Sequence, residues 1–150
     1  MNRVVITGAG TVNALAQDVA GTFAAFQDGR CGISNLTIKD KERLSIQIAA
    51  QVHNWNPERH FSRQKLPLYD RFTQFALVSS REAVAQSGLS FDGDICLDAG
   101  VVLGTAGGGL TTSDDSYRAV YGEGKNRVHP LVVPKLMHNA AASQIGRAHV

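Results

Sequence analysis

Two short apolar runs, each ending in glycine, constrain this chain more than anything else in it. Arg3-Val4-Val5-Ile6-Thr7 runs into Gly8-Ala9-Gly10, and Val101-Val102-Leu103 runs into Gly104-Thr105-Ala106-Gly107-Gly108-Gly109. A continuous β-rich run closed by glycine is the pattern of a buried strand, commonly a parallel one. Ile46 to Val52 is a third strand candidate, with Pro57 ending structure soon after. Helical spacing fills the intervals. Asp18 is placed to cap a helix with Val19, Phe23 and Phe26 on one face, and Gly29 follows where a left-handed residue ends it. Asp70 caps a second helix that puts Phe72, Phe75, Ala76, Ser79 and Ala83 on one face and closes at Gly88. The small residues on that face suit close packing against a neighbour. Thr112 or Ser113 is expected to cap a third helix with Asp114 and Asp115 in its first turn, where the helix dipole favours them. A long loop over Gly122–Val133 then leads to a last helix from Pro134 through Met137, Ala140 and Ala141. Alternating strands and helices predict the α/β class, a mixed or parallel sheet with covering helices.

Composition narrows the function classes. At 150 residues, with 43% hydrophobic and 19% charged side chains, the chain is long and apolar enough for one domain with a real core. Fifteen basic against thirteen acidic residues leave a net charge of +2, too even to argue for nucleic acid or a membrane surface. No apolar run approaches the ~18–20 residues that span a bilayer. The N-terminal run is too brief for a signal peptide. Cys31 and Cys96 form neither a CxxC pair nor a disulfide framework, so a reducing cytoplasm is the expected compartment. The glycines are clustered rather than periodic, which excludes collagen and points to tight turns.

The candidate sites are incomplete on their own. Gly8-Ala9-Gly10 after a strand is the start of a dinucleotide fingerprint, but Asn13 stands where the third glycine belongs. Asp28, at the spacing of a ribose-binding acid, falls at a helix end instead of after a second strand. Gly107-Gly108-Gly109 lacks the Lys-Ser/Thr pair of a P-loop. Three adjacent glycines instead admit close backbone approach, a flexible gate or a crowded turn. His53, His60, His129, His138 and His149 show no metal-ligand spacing, so no metal is expected. Neither cysteine opens a helix beside a base, as an activated nucleophile would. The basic stretch Arg59, His60, Arg63, Lys65 and Arg71 is either a solvated face or a surface for an acidic partner.

Taken together, the segments resemble the N-terminal half of a β-ketoacyl-acyl carrier protein synthase of the elongating condensing type. Residues 3–10 are similar to that family's first strand and turn. Gln27-Asp28-Gly29-Arg30-Cys31-Gly32-Ile33 resembles its Gly-Arg-Ser-Gly-Ile turn, with Cys31 where serine is usual. The run from Asp70-Arg71-Phe72 to Ser87-Gly88-Leu89 resembles its Met-Asp helix, and residues 104–108 its glycine loop. His129-Pro130-Leu131-Val132-Val133-Pro134 and the following Asn139-Ala140-Ala141-Ala142 complete the set in order.

The resemblance implies a thiolase-like fold, of which residues 1–144 would supply part of the first half. It implies acyl-thioester extension in fatty acid or polyketide synthesis, by a cysteine and two histidines. None of the five histidines here matches, and the nucleophile is expected beyond Val150, so no catalytic residue is assigned and the chain alone should be inactive. No cofactor is implied. Gly107 stands where many relatives carry a bulky aliphatic gate of the acyl channel, and Leu131 and Val132 where they often carry two phenylalanines. An altered substrate pocket follows, unless the loop backbone shifts to refill it. Arg63 and Lys65, with Arg127 from the later loop, are expected to bind an acidic acyl carrier protein. Gln64, Pro67 and Leu68 replace charges often found beside them. The family pairs as a homodimer, with no nucleic acid or membrane partner. A non-catalytic chain-length-factor-type partner is the first alternative, and a nucleotide-binding Rossmann module the second. Residues 145–150, Ile-Gly-Arg-Ala-His-Val, resemble a translated sequencing adapter and are expected to be non-native.

Overall fold

The computed structural model describes residues 3–91 and 95–149. Helix α1 spans Val19–Gln27; the Asp18 carboxylate accepts the Gly21 amide at its start, and Gly29 beyond its end takes φ +64°. Strands β1 (Ile33–Asn35) and β2 (Ile48–Ala50) pair antiparallel, with Ile33 opposite Ala50 and Asn35 opposite Ile48. Helix α2, Arg71–Ser87, is capped by Asp70 and closed by Gly88 at φ +67°. A single turn, α3 (Ile95–Asp98), precedes α4 (Leu110–Tyr117), which widens into a π turn over Arg118–Gly122. Helices α5 (Val132–Leu136) and α6 (Ala140–His149) end the described chain.

Helix α2 is the centre. Leu77 packs with Phe61, Tyr69 and Ile145, flanked by Trp55, Leu66, Ala76 and Val78. Helix α6 lies along this core, and its Ile145 is the first residue of the string expected to be non-native. Thr73 and Leu77 are the most buried side chains of α2, yet most of its circumference is at least half covered. A single apolar face therefore describes it poorly. The Ser79–Ala83 stripe packs against the Gly8–Gly10 turn, Leu77 faces the core, and Asp70 reaches α4.

Three local expectations are corrected. Residues 3–7 and 101–103 join no ladder among the described residues; Val4 and Ile6 are each 93% exposed and Val102 100%. An apolar run dictates extended backbone locally, whereas a strand also needs a partner that the run itself does not specify. Helix α4 begins at Leu110 with Gly109 as its cap residue, so Asp114 and Asp115 fall outside its first turn. The helix expected from Pro134 to Ala141 is two helices broken at Met137, whose ψ is 135°. The Leu136 carbonyl, which a continuing helix would offer to Ala140, accepts the Gly109 amide, and the Ala140 amide turns to Met137 instead.

Candidate functional site

The first glycine turn is a packing device. A Cβ at Gly8 would overlap the Ala83 carbonyl oxygen, and one at Gly10 would overlap that of Ser79. The turn thus lies flat on the backbone of α2. Its amides are taken by α2 side chains: Gln86 Oε1 accepts from Ala9, and Glu82 Oε2 accepts from Thr11 at 2.9 Å. Glu82 Oε1 also accepts the Val19 amide at 2.7 Å, at the start of α1. Carboxylate and amide oxygens stand where a dinucleotide's phosphates would need the Ala9 and Thr11 N–H groups. Asn13, which breaks the fingerprint, fastens the same turn. Its Oδ1 accepts from Leu15 and Ala16, and its Nδ2 donates to Thr11 and Thr22 hydroxyls. Asp28 pairs with Arg30 at the end of α1.

The second glycine turn is built differently. Gly108 and Gly109 are buried against the end of α5, where Cβ atoms would overlap the Leu136 and Lys135 carbonyl oxygens respectively. Gly107 is half-buried, and a Cβ there would make only ordinary contacts of 3.4–3.6 Å with the Leu110 side chain. The Thr105 hydroxyl holds Gly107 locally, donating to its carbonyl at 2.5 Å and lying 3.2 Å from its amide. Packing therefore requires the second and third glycines and leaves the first free to carry a side chain.

Leu131 and Val132 stand at the opposite end of the same short helix, both half-buried. His129 Nδ1 accepts the Leu131 amide at 3.1 Å and starts that turn. Val132 lines a cleft of about 290 Å³ between α4 and the 123–132 loop, and Arg127 lines it too. Lys125 and Lys135 share the cleft and were not singled out by spacing, because they come from separate elements. The structure thus joins one expected pocket residue and one expected carrier residue in a single cleft, which Asp115 also lines and where Lys125 pairs with Glu123 at 2.7 Å. Arg63 and Lys65 do not line it. Arg63 is almost fully exposed beside Glu58, at 3.6 Å, and Lys65 is exposed before the turn Leu66–Leu68.

The rest of the basic stretch divides. Arg71 donates to the Val52 carbonyl at 2.6 Å and lies over the Phe75 ring. His60 stacks on Trp55 with 4.8 Å between ring centroids. Burial, with the charges of Arg81 and Arg59, holds its imidazole below the usual histidine range. Arg59 stays exposed. Among the described residues no three His, Cys, Asp or Glu side chains gather as metal ligands would. No described helix is long and apolar enough to cross a membrane.

Asp70 is the residue whose full role spacing did not reveal. It caps α2 as expected, and its carboxylate also binds Thr112, 42 positions away, through amide and hydroxyl. A cap is legible from adjacent sequence; a bond across that separation is not.

The model of the β-ketoacyl synthase N-terminal domain matches residues 1–149, and the chain belongs to that family. Its fold is thiolase-like α/β. It is 34% identical over 143 residues, 95% of its length, to the 3-oxoacyl-[acyl-carrier-protein] synthase 2 of Staphylococcus aureus strain N315. Identity to nodulation protein E of Rhizobium sp. strain N33 is also 34% over 143 residues, again 95% of the chain. The chain spans about a third of each relative, 34% and 35% respectively. A β-ketoacyl synthase from Burkholderia phymatum STM815 superposes with a TM-score of 0.74 at 25% identity, covering 98% of this chain and 36% of that one. A type II PKS acyl-carrier protein in complex with its ketosynthase, bound to the hexaketide, shares the fold at TM-score 0.76 and 19% identity, over 99% of this chain and 39% of that one.

Proposed function

We propose that this chain is the amino-terminal part of a 3-oxoacyl-[acyl carrier protein] synthase, an acyltransferase of fatty acid or polyketide synthesis. The observation that carries this reading, within the family, is the Gly107–Gly109 loop, whose last two glycines seat on the Lys135–Met137 end of α5, the helix at whose other end Leu131 and Val132 stand. Two elements that the family resemblance gives to the acyl pocket are locked together here, and Gly107 keeps an unfilled Cβ position.

In the proposed reaction a cysteine thiolate attacks the acyl-carrier thioester carbonyl and expels the carrier thiol. Malonyl-carrier loses carbon dioxide, and the resulting enolate attacks the acyl-enzyme carbonyl. The new carbon–carbon bond forms as the cysteine sulfur leaves, with an oxyanion hole holding the transient charge. The nucleophile is assigned beyond Val150. Cys31 sits in an exposed turn with its sulfur accepting the Ile33 amide, and the Cys96 thiol donates to the Phe91 carbonyl. Residues 1–150 alone are accordingly expected to be inactive.

The partner in this reading is an acyl carrier protein. Arg127 and Lys135 at one cleft, beside the Lys125–Glu123 pair and Asp115, suit an acidic surface, with Arg63 and Lys65 as an exposed second contact. One structural neighbour is a ketosynthase held with its acyl-carrier protein. A cytoplasmic homodimer is the assembly proposed. The family domain in this reading runs to residue 144 with 145–150 non-native, which a complete genomic copy of the gene tests.

The experiment is to express the intact gene product and supply acyl-carrier and malonyl-carrier proteins. Carbon dioxide release coupled to a 3-oxoacyl product is expected. Absence of both, in a product with no nucleophilic cysteine, would instead make it a chain-length-factor-type partner.

A further inference from the structure

Asp70 carries one carboxylate to two helix ends. Oδ1 accepts the Phe72 amide at 3.2 Å, the local cap of α2. Oδ2 accepts the Thr112 amide at 2.8 Å and the Thr112 hydroxyl at 2.6 Å, in the first turn of α4. The residue is 4% exposed, and among the described residues no cation pairs with it. Helix α4 has no side-chain cap of its own, because its cap residue is Gly109. Asp70 supplies that cap from another helix, and its charge suits the N-terminal dipoles of both.

The glycine loop lies between this carboxylate and α5. A Cβ at Gly109 would come within 3.0 Å of Asp70 Oδ2 on one side and overlap the Lys135 carbonyl on the other. The Gly109 amide donates to the Leu136 carbonyl at 3.3 Å. Among the described residues only Thr105 holds Gly107 by hydrogen bonds, so its place is set by where Gly108 and Gly109 are pinned.

We propose that Asp70 is a positioning residue for acyl-chain selection, acting through Thr112 and Gly109 on the stance of Gly107. This rests on the reading above that Gly107 borders the acyl channel. Asparagine is the informative replacement. It has the same shape but only one accepting oxygen, so either the Phe72 or the Thr112 amide must face an NH₂ group. Where the NH₂ group faces Thr112 the loop is released on one side, and where it faces Phe72 the start of α2 is released instead; the fold's apolar core is untouched in both.

The test uses the intact gene product as wild type, Asp70→Asn, Thr112→Val and Thr112→Ser. It reads kcat/KM for a series of acyl-carrier primers from short to long, and hydrogen exchange at the Thr112 and Gly109 amides. Asp70→Asn should change the long-to-short selectivity ratio by about tenfold, the scale of one lost charge-assisted hydrogen bond, and speed exchange at Thr112. Thr112→Val, which loses only the hydroxyl, should shift the ratio in the same direction by less. Thr112→Ser should restore the wild-type ratio. Equal losses for every primer in Asp70→Asn and Thr112→Val would overturn the proposal, as would a changed ratio with unchanged exchange at both the Thr112 and Gly109 amides. If Asp70→Asn does not fold, the valine and serine variants at Thr112 decide by the same criteria. A wild type that extends no primer would refute the parent reading, and the selective role would fall with it. The exchange data would still show whether the clamp holds the loop, which separates the two failures.

Discussion

The two glycine turns of this chain look alike in sequence and do different work. Each follows an apolar run, and each is tied to a carboxylate on or beside α2: Glu82 holds Thr11 and Val19 after the first, and Asp70, the α2 cap, holds Thr112 after the second. At the first turn both glycines are spent on approach to the α2 backbone. At the second, Gly108 and Gly109 are spent on approach to α5, and Gly107 is not. Glycine enforced by packing reports architecture. Glycine that packing does not require marks a position where a side chain is optional, and there selection by a ligand has room to act.

The sharpest way to break this contrast is to add one methyl group at each position of the intact gene product. Gly8→Ala, Gly10→Ala and Gly108→Ala each drive a Cβ into a backbone carbonyl, which no side-chain rotation relieves. Losses of about 3 kcal/mol or more, or failure to fold, are expected in denaturant unfolding. Full stability in any of them would end the claim that the glycines are forced.

Next in size is the pinning carboxylate of the first turn. Glu82→Gln keeps the shape but leaves one of its two oxygens' roles to an NH₂ group facing the Thr11 or Val19 amide. A cost of about 1–3 kcal/mol is expected, with faster amide exchange at whichever of the two is released.

Gly107→Ala should run the other way. The added Cβ meets Leu110 at ordinary contact distance and restricts the unfolded chain, so a gain of about 0.4–1 kcal/mol is expected. Destabilisation comparable to that of Gly108→Ala would erase the distinction between the glycines.

The smallest effect concerns pH and lies outside both turns, which makes it a control. His60 is held below its usual value by burial, then by Arg81 and Arg59, so the folded state favours the neutral ring. The unfolded chain therefore takes up the proton first as pH falls. The stability contributed is fully present above the unfolded value of 6.5 and is lost as pH drops from there toward the folded value. His60→Phe keeps an aromatic ring against Trp55 and should flatten that part of the stability profile. An unchanged slope in the variant would assign the titration elsewhere.

Legibility in the sequence follows the range of the interaction. Helices α1 and α2 were readable because Asp18, Gly29, Asp70 and Gly88 signal their ends within a turn or two. Strand β2 was readable from its apolar run, but its partner Ile33–Asn35 was not, since pairing is set across the intervening loop. The break between α5 and α6 is not legible in the sequence because the Gly109 amide takes the Leu136 carbonyl from a distant position. At the site, Gly107, Leu131, Val132 and Arg127 came from family resemblance. What joins the glycine loop to its neighbours comes from contacts no local pattern encodes: Asp70 to Thr112, and Gly108 on α5.

The most direct measurement is the primer-length profile of the intact gene product with Gly107→Ile, taken alongside its unfolding midpoint. A side chain at this unfilled position should remove activity on the longest primers, keep it on the shortest, and leave the midpoint close to that of wild type. An unaltered length profile in a folded variant, or unfolding as severe as with Gly108→Ala, would contradict the assignment of Gly107 to the acyl channel.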